Sequence, residues 1–168
     1  MVLRSPALAT VFKQAGWFPG RNMQLTDAAP SGHPAFAILS AFAGLSVEDS
    51  GRGETAAASD VHFTEMMDDL EEALELERLL DDRLLAIAEI HRAHAQLYIA
   101  QSGRCFGVSI IHRAIWLVGE TFEEAIIALL SGKRPQPILL PGQSSVTLHG
   151  DIYRDGHSDL YEPALHAR

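Results

Sequence analysis

Apolar positions along this chain change their spacing several times, and each spacing predicts a different element. Leu8, Val11, Phe12 and Ala15 share one face of a helix over residues 6–15. Ser5 is its cap, Pro6 suits the first helical position and Gly16 ends it. Trp17, Phe18, Pro19, Gly20 and Arg21 then make an aromatic-rich turn. Residues 27–33 form a linker of breakers, and Pro34 opens a second helix with Phe36, Ile38, Leu39 and Phe42 as its apolar side and Gly44 as its stop. Residues 45–47 read as a short strand, 48–59 as a mobile loop and 61–64 as another brief strand. A third helix is predicted over 65–82, with Met67, Leu70 and Leu74 at helical spacing and acids filling most of the rest.

Beyond residue 83 the pattern shifts to short β-type runs over 84–90, 96–100, 104–111 and 114–118. Gln101, Ser102 and Gly103 supply a tight hairpin turn between the second and third of these. A last helix follows: Thr121 and Glu124 have capping-box spacing, Phe122, Ile126, Leu129 and Leu130 line one side, and Gly132 with Pro135 terminates it. Residues 133–168 are punctuated by Pro and Gly, and read either as a loose tail or as a weak hairpin over 145–148 and 152–154. The expected architecture is α+β: an antiparallel meander with helices packed on one face, a domain over 1–132 and an extension over 133–168.

Composition agrees with one folded domain: the chain has 168 residues, 47% of them apolar and 21% charged. No run approaches the roughly 18 apolar residues that a membrane span needs, and the short apolar stretch after Arg4 is broken by Lys13 and Gln14, unlike a signal peptide. A single cysteine, Cys105, excludes an internal disulfide framework and fits a reducing compartment. Charge is where composition changes the picture. Of the net −9, −8 lies in residues 65–82, where nine acids face Arg78 alone. No cluster of Lys and Arg exists to hold nucleic-acid phosphates. The acidic run is either a solvated face or a surface for a basic partner.

Candidate chemistry is sparse. His91 and His94 give an H-x-x-H pair that His112 could join, but no HExxH accompanies them, and loop histidines are the plainer account. Cys105 sits in a strand-like run with no evident base, as a buried thiol would. There is no G-x-S-x-G elbow, and no Walker lysine follows Gly51, Arg52 and Gly53. Adjacent acids such as Asp68 and Asp69 point about 100° apart on a helix and do not converge. No catalytic residue, cofactor site or metal site is assigned.

Several motifs nonetheless occur in a specific order. Residues 15–21 carry Gly16, Trp17, Gly20 and Arg21 in a GW-x-x-GR pattern, and residues 39–45 carry Phe42 and Gly44 in a helix-ending pattern. His62 and Phe63 form a short-strand pair, Gly103 marks the hairpin, and Trp116 precedes the Thr121 helix. This series, over roughly residues 8–132, resembles the SUKH superfamily of Smi1/Knr4-like proteins, and within it the SUKH-3 immunity branch. Ala86 and Ala88 stand where that pattern has Pro and Gly, Ala43 where it has Gly, and Gln101 where an acid is usual.

The resemblance implies a bacterial, cytoplasmic immunity protein that neutralises a polymorphic toxin, of nuclease or deaminase type, by binding and without catalysis. The partner would be a cognate toxin domain with a basic surface, rather than nucleic acid or a membrane. Glu65, Asp68, Asp69, Glu72 and Glu75 are the expected contact residues, since an acidic helix complements a basic groove. Two alternatives stand beside it: an interaction scaffold unrelated to a toxin, and a small metal-dependent enzyme using His91, His94 and His112. The sequence sets no oligomeric state.

Overall fold

The computed structural model describes residues 3–26, 29–48, 53–66 and 70–163. Helix α1 spans Pro6–Gln14 and α2 Pro34–Phe42. Strands β1 (Ser46–Val47) and β2 (Val61–Phe63) follow, then α3 (Glu71–Leu80). The meander is β3 (Leu84–Ile90), β4 (Ala95–Ala100), β5 (Cys105–Ser109) and β6 (Ile115–Gly119). After it come α4 (Phe122–Ser131), β7 (Gln136–Ile138), β8 (Ser145–Leu148) and β9 (Asp151–Arg154). Strands β1 to β7 lie in sequence order in one seven-stranded sheet, each antiparallel to the next, while β8 and β9 form a separate hairpin. The fold is therefore an α+β meander with helices packed against it.

The helices divide between the two faces of the sheet, which departs from the expectation of a single covered face. Alternation along β4 is the clearest evidence: Ala95, Leu97 and Ile99 join the core with α1, α2 and α4, whereas Tyr98 and Ala100 join a second core with α3. Along β3 the register shifts between Ala86 and Ala88, so the successive residues Ile87 and Ala88 both turn to the first core. With both faces covered, strands gain nothing from polar positions. That is why they read as near-continuous apolar runs.

Caps explain where the helices begin and end. Ser5 accepts from the Leu8 amide, and Thr121 and Glu124 form the reciprocal capping box. Gly132 closes α4 in the left-handed region at φ 63°. The cap of α2 is His33, which the linker reading passed over: its Nδ1 accepts from the Ala35 amide and its Nε2–H donates to the Arg83 carbonyl. On α2, Phe36 is exposed rather than part of the apolar side, and Ala35 takes its place in the core.

Helix α3 is shorter than predicted, with Leu70 as its cap. Its buried stripe is Ala73, Leu76 and Leu80, while Leu74 is exposed. Met67, Asp68 and Asp69 lie outside the described residues. Residues after Gly132 also build the fold: β7 pairs with β6, and Val146, Leu148 and Tyr153 are buried in the first core.

Candidate partner-binding surface

Most of the motif residues gather at one corner with internal contacts, while Gly103 and Trp116 lie in the β4–β5 turn and on β6. Trp17 packs on Phe42 at 6.0 Å between ring centres, and Phe42 also meets Phe12 at 4.4 Å and Phe63 at 5.5 Å. Arg21 turns inward to donate to the carbonyls of Ala41 and Ala43, each at 2.7 Å, and so satisfies the open end of α2. Gly16 and Gly20 take positive φ to fold the turn that aims Arg21 there. The Gly44 amide donates to the Phe63 carbonyl, joining α2 to β2. Farther along the sheet, in the same core, Gly107 makes room for Trp116, since a Cβ there would lie 2.2 Å from the indole. Gly103 closes the β4–β5 turn at φ 97°.

The acids expected on one surface are not all brought together. Glu65 lies beyond β2, where its Oε2 accepts from the Thr26 amide and hydroxyl. Glu72 and Glu75 stand three residues apart on α3 and share one flank of it, both half-buried beside the stripe, while Glu71, Leu74 and Arg78 are its exposed positions. Glu75 pairs with Arg113 of the β5–β6 turn. Glu77 accepts from the Leu84 amide at 2.8 Å and Asp82 pairs with Arg104 at 3.4 Å, so part of the acidity locks α3 to the sheet. Acids in the first turn also suit the positive end of the helix.

The histidines do converge, with a fourth that the H-x-x-H reading missed. His91, His94, His112 and His149, from the β3–β4, β5–β6 and β8–β9 turns, line a recess of about 320 Å³. The rings of His91 and His149 lie 5.4 Å apart, each about 6 Å from Trp116. Burial and the neighbouring His149 push His91 down to about 4, and burial lowers His149 too, so both imidazoles are neutral at pH 7. His91, Arg92 and Ala93 all have left-handed backbone, with φ between 53° and 60°. That strained turn is held by Ser59, which accepts from the His91 amide, and by Asp60, which accepts from the Arg92 amide. No signal in the sequence places His149 beside His91, because only the folding-back of the β8–β9 hairpin does so.

No group of three or more His, Cys, Asp or Glu residues is placed to hold a metal among the described residues. Cys105 is fully buried, and desolvation pushes its thiol pKa up, which keeps it protonated and unreactive. Among the described residues no helix is long and apolar enough to cross a membrane.

A sheet clad on both faces, with turns and one acidic helix left to present side chains, defines a small α+β meander protein. The family model for SUKH-3 immunity proteins matches residues 4–132, and the chain belongs to that family. No curated protein and no solved structure matches it.

Proposed function

We propose that this protein neutralises a polymorphic bacterial toxin, of nuclease or deaminase type, by binding it in the cytoplasm and occluding its substrate groove, with no catalysis of its own. Membership of the SUKH-3 immunity family over residues 4–132 carries this reading. The acidic flank of α3, with Glu72 and Glu75, is the surface we assign to the toxin, and Asp68 and Asp69 just before it extend the same charge in sequence. Enzymes that process nucleic acid carry basic grooves, and a negative helix meets such a groove with complementary potential and fast association. The buried, protonated Cys105 agrees with a role in binding.

Growth rescue tests the proposal. Cells producing the toxin domain encoded beside this gene should die alone and grow when this protein is co-produced. Reversal by Asp69→Lys, Glu72→Lys and Glu75→Lys together should abolish the rescue. Cells that die despite an equal amount of folded wild-type protein would sink the immunity reading. Rescue undiminished by the triple reversal would sink the acidic-helix mechanism alone.

A further inference from the structure

Three of the eight large apolar side chains exposed among the described residues lie in or beside the turns around one recess. Ile110 and Ile111, 50% and 57% exposed, stand on the β5–β6 turn, and Ile111 lines the histidine recess. Ile152, 55% exposed, is the cross-strand partner of Thr147, which lines the same recess. Ile111, with Ile110 beside it in the turn and Ile152 across the hairpin from Thr147, thus flanks an open cavity of about 320 Å³ with imidazoles on its walls. Leaving such side chains in water is unfavourable, and exposed apolar side chains grouped beside a recess mark a contact site.

The turn that carries two of them is rigid. Ser109 Oγ accepts from the Ile111 and His112 amides, the Ile110 amide donates to the His94 carbonyl, and Gln143 donates to the Arg113 carbonyl. A partner docking here would lose little ordering entropy on the protein's side. From the same turn Arg113 crosses to the other face of the sheet and pairs with Glu75. The β5–β6 turn is therefore a ridge between the recess and the acidic side of α3.

We propose that the toxin grips this ridge: it inserts an apolar side chain into the recess beside Ile111 and lays basic side chains along Glu72 and Glu75. The inference rests on the immunity reading and deepens it, by adding an apolar anchor to a surface so far defined by charge. Charge also selects the occupant. A second copy docking symmetrically through the same patch would bring two acidic helices together, whereas a basic protein surface is attracted. Interfaces draw most of their energy from a few central apolar anchors with a charged rim, which is the arrangement here.

The test is calorimetric titration with the toxin domain encoded beside this gene, inactivated at its catalytic residue, together with sedimentation of this protein alone. Ile110→Ser with Ile111→Ser should weaken binding by at least about thirtyfold. Thr147→Arg, which fills the recess from an exposed position, should act in the same direction. Phe18→Ser, equally exposed but on the motif corner, should change affinity by less than about threefold, and the free protein should sediment as a monomer. Wild-type affinity in both ridge variants, with binding lost on Glu72→Lys plus Glu75→Lys, would overturn the inference and leave the immunity reading standing. A dimer that the isoleucine substitutions dissociate would assign the ridge to a second copy and overturn it as well. Absence of binding by the wild type would overturn both.

Discussion

The motif corner and the turn end of this molecule obey opposite rules. At the corner, Trp17, Arg21, Phe42 and Phe63 spend their contacts on one another and on the end of α2. At the turn end, four histidines and Ile111 line an open recess, and the backbone of residues 91–93 is held in a strained conformation by side chains from a distant loop. The difference teaches that the family-motif residues of the corner are scaffold, whereas the motif residue Trp116, on β6, lines the recess. What can meet a partner lies elsewhere, on turns whose side chains the scaffold leaves open.

The largest effect should come from the corner. Phe42→Ala removes a fully buried ring in contact with four other aromatic rings and should cost about 3–5 kcal/mol, read as a lowered denaturation midpoint or loss of folding. A cost under about 1 kcal/mol would mean that the corner is not the scaffold. Arg21→Ala strands two carbonyls at the end of α2 and should cost about 1.5–3 kcal/mol. Arg21→Lys should recover only part of this, since an ammonium cannot span both carbonyls with a planar fork.

The turn end should reveal itself through pH. The folded-state value of His91 lies below its unfolded value of 6.5, at about 4, so the native state resists the proton that the unfolded chain accepts. Stability is then fully present above pH 6.5 and falls as the pH drops towards 4. The loss between pH 7.5 and 5 should be on the order of 2 kcal/mol from this group, with His33 and His149 adding in the same direction. Urea midpoints across that range should show the slope, and His91→Gln should flatten it; an unchanged slope would relocate the titration. The smallest effect belongs to the surface. Glu75→Gln breaks an ion pair with the exposed Arg113 and should leave the urea midpoint nearly unchanged.

Much of the scaffold was legible because its signals are local. Capping by Ser5 and Thr121, the stops at Gly16, Gly44 and Gly132, and the Gly103 turn all follow from backbone preferences that neighbouring residues cannot hide. The extent and face of α3 were not. Leucines at 70, 74, 76, 79 and 80 allow more than one apolar stripe, and only the position of the sheet selects Ala73, Leu76 and Leu80. The division of helices between two faces is likewise a property of the sheet: runs buried on both sides carry no alternation to say which helix covers which. The histidine recess was half legible. H-x-x-H marked His91 and His94, but their neighbours His112 and His149 arrive from turns up to 58 residues beyond His91.

Titration of the inactivated toxin domain against three proteins tests most directly the claim that the contact surface lies apart from the motif corner. Arg21→Ala, held at a temperature where it is folded, should bind within about threefold of wild type. Glu72→Lys with Glu75→Lys, unaltered in stability, should lose at least about tenfold in affinity, more at low salt than at high. Folded Arg21→Ala that has lost binding, beside a charge-reversed protein that binds like wild type, would contradict the account.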